Sequence, residues 1–195
     1  MGVFLNAIVC RKQDTVDVQA LVSQLAAKEQ DKEFKNFPEE CAVTECQGGI
    51  SIQLNDYCLE PDGVAKTLSQ KLEGPVLAFG IYDDECWYYW LYREGRELDK
   101  FSTVPDCMVE TDDIEEREQW RGNAALLAEE FGCLEEPLYE YLQFWGDGDW
   151  KDPWEVMDFL EALGFGFEEE DEDFLEEPDE EEWDSVPETI HYTGR

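Results

Sequence analysis

The sequence predicts an α+β protein. Its core is a ferredoxin-like βαββαβ sheet, extended by an antiparallel aromatic hairpin and followed by a small C-terminal helical region and an acidic tail. Three observations predict this. Short β-forming runs and amphipathic helical stretches follow one another as β-α-β-β-α-β up to Tyr82. A strongly aromatic strand, Cys86-Trp87-Tyr88-Tyr89-Trp90-Leu91-Tyr92, comes next. After Pro105 the hydrophobic period becomes helical and ends in nearly solid acid.

Val3–Cys10 is a short apolar run rich in β formers, and it reads as a buried strand rather than an export signal, because no basic segment precedes it. Asp14 is placed to cap a helix running to Lys28, with Val18, Leu21, Val22 and Leu25 on one face. Ala42–Cys46 and Ile50–Leu54 flank Gln47-Gly48-Gly49, whose glycines supply the positive-φ positions of a tight hairpin turn. Ile50, Ile52 and Leu54 alternate with polar residues, so one face of that strand is buried. Pro61 opens a second helix with Val64, Leu68 and Leu72 in line, and Gly74-Pro75 ends it.

Val76–Tyr82 is a strand, Asp83-Asp84-Glu85 a turn, and Gly95 returns the aromatic strand into Glu97–Phe101. Alternation puts Trp87, Tyr89 and Leu91 on one face and Tyr88, Trp90 and Tyr92 on the other. Such a strand is either the centre of a sheet covered on both sides or a partly exposed aromatic platform.

Beyond Pro105, Asp112–Trp120 reads as a short acidic helix. Asn123 caps Ala124–Phe131, which Gly132 stops. Glu136–Trp145 is a third helix, and Asp152-Pro153 starts a fourth that ends at Leu163-Gly164. Short amphipathic helices of this kind are expected to pack on one another and on the sheet. The resulting division is a sandwich-type domain over residues 1–105, a helical region over 106–166, and an acidic, disordered tail over 167–195.

Charge is the most informative single property. The chain of 195 residues carries 50 Asp and Glu against 14 Lys and Arg, a formal net charge of −36. Residues 1–105 hold 18 acids and 10 bases, whereas residues 106–195 hold 32 acids and 4 bases. Within the latter, 12 of the 15 positions from Glu168 to Glu182 are acidic. Phosphate binding needs clustered cations, so direct nucleic-acid binding is not expected. Anionic lipid would repel such a surface, and no apolar run has the length of a membrane helix. Seven scattered cysteines without an export signal point to free thiols in the cytoplasm.

Catalytic motifs are not found. The single histidine, His191, lies beyond the acidic run, far from any partner for nucleophilic catalysis. No P-loop, G-x-S-x-G or G-x-G-x-x-G is present. Asp147, Asp149 and Asp152 begin like a calcium loop, but Lys151 falls where that loop needs an oxygen ligand. No cofactor or metal is therefore expected. An enzyme using Asp, Glu or a thiol such as Cys86 or Cys133 is the least supported alternative.

The reading that follows is a non-enzymatic acidic protein-binding module. Its composition resembles that of small acidic inhibitors of nucleic-acid-cleaving toxins and of bacterial immunity proteins, and the expected partner is a basic protein. The candidate contact residues are the carboxylates Asp112, Asp113, Glu115, Glu116, Glu135 and Glu136. To these are added an aromatic and acidic group, Asp147, Asp149, Trp150, Asp152 and Trp154. An alternative is a nucleic-acid mimic, in which helical carboxylates about 5–6 Å apart stand in for phosphates. The terminal segment from Trp183 to Arg195, with Val186, Ile190 and Tyr192, is a further candidate for docking on the sheet or on a partner.

Overall fold

The computed structural model describes residues 3–13, 16–27, 41–54, 61–109, 113–146, 152 and 154–166. Among these residues the chain is mixed α+β. Six strands form one sheet: β1 (Phe4–Cys10), β2 (Ala42–Cys46), β3 (Gly49–Gln53), β4 (Val76–Tyr82), β5 (Cys86–Arg93) and β6 (Arg96–Ser102). Their order is β2-β3-β1-β4-β5-β6, and every neighbouring pair is antiparallel. The helices are α1 (Val18–Ala27), α2 (Pro61–Ser69), α3 (Ile114–Glu118), α4 (Ala124–Phe131), α5 (Glu135–Leu142) and α6 (Glu155–Ala162), with a 3₁₀ turn at Pro105–Cys107.

Side-chain alternation along the strands sorts two cores onto the two faces of this sheet. On one face Ile8, Cys10, Ile50, Ile52, Val76 and Ala78 meet Val18 and Val22 of α1 and Val64, Ala65 and Leu68 of α2. On the other, Val9, Leu77, Phe79, Ile81, Trp87 and Tyr89 meet Leu127 and Phe131 of α4, Leu138 and Leu142 of α5, and Phe159 and Leu160 of α6. Phe159 stacks on Tyr89, with ring centroids 5.5 Å apart and planes 8° apart, and lies 5.1 Å from the Trp87 ring.

The aromatic strand is thus the interior of a sheet covered on both sides. Trp87, Tyr89 and Leu91 are fully buried and Tyr88 and Tyr92 nearly so, while Trp90 packs against the rim of the α1–α2 core. Tyr88 reaches across Gly80, which it opposes in the β4–β5 register, to donate a 2.6 Å hydrogen bond to Asn6 Oδ1.

Several helix boundaries differ from expectation for reasons of local capping. The first helix begins at Val18, with Asp17 Oδ1 accepting from Ala20 N–H at 2.9 Å and so capping it; Asp14, the cap expected from sequence, lies outside the described residues. The acidic helix is trimmed to Ile114–Glu118 because Asp113 caps it, its side chain accepting from Glu115 N–H. The third helical stretch starts one residue early, at Glu135, and ends at Leu142, after which the chain forms turns to Gly146. The last helix starts at Glu155, since Asp152 turns the chain by accepting from Trp154 N–H at 2.9 Å. Asn123 and Gly132 bound α4 as expected: Asn123 Oδ1 accepts from Leu126 N–H at 3.0 Å, and Gly132 takes φ +69°.

Candidate functional site: an acidic helical face

The helices that cover the Trp87–Tyr89 face turn a cation-poor surface outward. No Lys or Arg occurs between Asn123 and Gly146. In α5 the spacing of Leu138 and Leu142 directs one stripe inward, so Glu135, Glu136, Tyr139 and Glu140 face solvent. Glu135 and Glu136 occupy the first turn, where the positive end of the helix dipole favours them. Leu134 and Tyr139 are 75% and 64% exposed, large apolar groups standing among carboxylates.

Two grooves flank Tyr139. One of about 620 Å³ runs along Glu135, Glu136, Glu140 and Gln143. The other, about 440 Å³, is lined by Arg121, Gly122, Ala124, Leu142 and Trp145 besides Tyr139 and Gln143. Its basic wall is already engaged: Arg121 lies 4.6 Å from the Trp145 ring centroid and 3.1 Å from Glu118 Oε2.

Helix α6 continues the acidic surface. Burying Val156, Phe159 and Leu160 leaves Asp158 and Glu161 outward. These meet α5 at Tyr141, whose ring stands edge-on to Phe159 at 6.1 Å. Burial, and then the negative charges of Asp158, Glu140, Glu155 and Glu161, push the Tyr141 phenol above its usual range. Glu155 is pushed up as well, by burial and by Asp152 and Asp158, and its Oε2 is buried with no hydrogen-bond partner among the described residues.

Of the residues singled out from sequence, Glu135 and Glu136 lie together on α5, and Asp152 and Trp154 lead into α6, with Trp154 half exposed. Asp113, Glu115 and Glu116 are exposed on α3, a separate helix held by its own ion pair between Arg117 and Asp106 at 3.0 Å. Asp112, Asp147, Asp149 and Trp150 lie outside the described residues, as do the acidic run and the segment from Trp183. Sequence reasoning missed Glu140, Asp158 and Glu161. Their signal was present as spacing: Glu136 and Glu140 are four apart, and Glu155, Asp158 and Glu161 are three apart.

A larger cleft, about 650 Å³, lies between the start of α1 and the β2–β3 hairpin. Its rim carries an exposed Lys12–Glu45 ion pair at 2.7 Å. The thiols Cys10, Cys41, Cys46, Cys86, Cys107 and Cys133 are all free, and burial pushes each of them up, which keeps them protonated at neutral pH. Among the described residues no group of three or more His, Cys, Asp or Glu side chains is arranged to hold a metal ion, and no helix is long and apolar enough to cross a membrane.

Fold and surface together define the class in physical terms: an α+β sheet protein with an acidic, aromatic-studded helical face. No family model matches the chain, and comparison with curated proteins and with solved structures finds no match.

Proposed function

We propose that the chain is a non-enzymatic acidic protein-binding module of the cytoplasm, acting on a basic partner as an immunity- or antitoxin-like inhibitor. One observation carries this reading: α5 and α6 place Glu135, Glu136, Glu140, Asp158 and Glu161 on a surface without Lys or Arg from Asn123 to Gly146, with Tyr139 and Leu134 exposed among them. Carboxylates steer a basic partner and set its orientation, and aromatic or aliphatic anchors supply affinity once water is excluded.

Under the same proposal, β1 to β4 with α1 and α2 form a ferredoxin-like unit, the β5–β6 hairpin extends its sheet, and residues 106–166 are a binding region appended to it. The order β2-β3-β1-β4 supports the unit, as does the packing of α1 and α2 on one face.

The test is capture at low salt with elution by rising salt, run in parallel with Glu135→Lys/Glu136→Lys and with Tyr139→Ala. Basic proteins retained by the native chain should be lost with the charge-reversed variant and weakened about tenfold or more by Tyr139→Ala. Tyr139→Ala should keep the native Tm, since that side chain is exposed, and the charge-reversed variant should lose only a few degrees, because its lysines meet the positive end of the α5 dipole. Equal capture by all three chains, or binding indifferent to salt, would sink the reading.

A further inference from the structure

Cys86 opens β5 and is fully buried, whereas Cys107 ends the 3₁₀ turn after β6 and is partly exposed. They stand on either side of the β5–β6 hairpin, and the fold brings them together. Beyond Ser102 the chain runs back along the start of β5. Thr103 N–H donates to Trp87 O at 3.1 Å, and Trp87 N–H donates to Thr103 Oγ1 at 3.2 Å. The 3₁₀ turn then closes, with Cys107 N–H on Val104 O at 3.0 Å. Cys107 Sγ comes to rest 3.9 Å from Glu85 Oε2, beside the next residue, Cys86, and the two thiols lie close enough to perturb each other electrostatically. Cys10 and Cys46 contrast with this pair: they interact electrostatically, but Cys10 belongs to the α1–α2 core and Cys46 packs on the opposite face of the sheet.

We propose that Cys86 and Cys107 form a reversible disulfide when the protein meets a small-molecule disulfide such as glutathione disulfide. The Thr103–Trp87 pairing and the Cys107–Glu85 contact hold the two cysteines on neighbouring stretches of backbone, so a small side-chain rotation is what a disulfide requires. Partial exposure makes Cys107 the attacking group. Its thiolate, having released a proton to water, attacks one sulfur of glutathione disulfide, breaks the S–S bond and expels one glutathione thiolate. Cys86 then loses its proton and attacks the Cys107 sulfur, expelling the second glutathione. Two protein thiols are oxidised, and one glutathione disulfide is reduced to two glutathione molecules.

Because burial holds both thiols above their usual range, the exchange is slow at neutral pH and quickens as pH rises. The cross-link closes a loop around the β5–β6 hairpin and restricts the unfolded chain. It also anchors the segment from which α3 departs, the helix whose Asp113, Glu115 and Glu116 are exposed.

The experiment treats the folded full-length chain with glutathione disulfide at mildly alkaline pH, blocks remaining thiols, and maps the digest by mass spectrometry. The native chain should lose about 2 Da, yield a Cys86–Cys107 cross-linked peptide, and gain about 5–10 °C in Tm, all reversed by dithiothreitol. Cys86→Ala should instead retain one glutathione on Cys107, about 305 Da heavier, because the resolving thiol is missing. Cys107→Ser should give neither product. A cross-link to any other cysteine, one formed only in denaturant, or glutathione persisting on Cys107 of the native chain would overturn the proposal. Should Cys86→Ala fail to fold, the native map and Cys107→Ser decide the matter together.

Discussion

Arg11, a half-buried residue, shows how one side chain can organise a strongly acidic protein. Its Nη1 donates to Gly48 O at 3.0 Å and Gly164 O at 3.2 Å, and its Nη2 donates to Phe131 O at 2.8 Å and Leu163 O at 3.0 Å. The guanidinium carbon also sits 4.7 Å from the Phe165 ring centroid. Phe131 ends α4 and Leu163-Gly164 follows α6, so a single cation answers the orphan carbonyls and negative dipole ends of two helices while gripping the β2–β3 turn. Gly48 is required there: at φ +85° a Cβ would lie 1.8 Å from Gly164 O. Arg11→Met should therefore cost about 3 kcal/mol, a fall of about 6–12 °C in Tm by calorimetry. Arg11→Lys should recover less than half of that loss, because an ammonium cannot reproduce the planar fork. A change within about 0.5 kcal/mol for Arg11→Met would show that the carbonyls are served as well by water. None of this is legible in sequence, where Arg11 is the first of two adjacent bases following a strand; the four carbonyls that define its role come from three distant segments.

Elements tell a different story, because their signals are local. The Asn123 cap and the Gly132 stop bound α4 in the sequence and in the fold alike, since each acts through a hydrogen bond or a backbone angle within its own turn. The alternation of the aromatic strand likewise sorts Trp87 and Tyr89 from Trp90 and Tyr92, and the two cores receive them in that arrangement. What alternation cannot supply is the choice between a covered and an open sheet, which depends on α4 and α6 reaching Trp87 and Tyr89 through Leu127 and Phe159. The convergence of Glu140, Asp158 and Glu161 on Tyr141 is hidden for the same reason, as it arises between two helices. Gly80 marks the closest fit within the sheet: a Cβ there would lie 2.4 Å from Leu5 O and 2.5 Å from Tyr88 Oη. Gly80→Ala must push Tyr88 off Asn6 or part β1 from β4. We expect it to cost about 3 kcal/mol, read as a lower denaturation midpoint with an unchanged m-value. Adding Tyr88→Ala should not deepen that loss by its full single-variant cost, because the two changes relieve the same contact.

At the scale of the whole molecule the dominant force outside the core is self-repulsion. A net charge of −36 works against compactness, and added salt screens it, with a Debye length of about 10 Å at 0.1 M. Tm should accordingly rise with salt before any partner is present. Acidification acts through particular groups as well as through net charge. Asp99 accepts hydrogen bonds from Tyr89 Oη at 2.6 Å and from Asn123 N at 2.8 Å, yet burial still pushes its carboxyl up against those bonds. Glu155 is pushed up by burial and by neighbouring carboxylates. A carboxyl with a folded pKa above its unfolded value holds its proton more readily in the native state. The stability it contributes is gained as pH falls through the folded pKa, and is complete below the unfolded one. As pH falls from neutral into the carboxylate range, stability should thus increase rather than decline. Asp99→Asn and Glu155→Gln separate the two causes. At high salt, where general repulsion is screened, the native chain should keep a residual rise in Tm on acidification, and the double variant should lose most of it while keeping the salt response. A native chain whose Tm falls steadily as pH is lowered from neutral into the carboxylate range at high salt would show that these two carboxyls are more solvated than their burial implies.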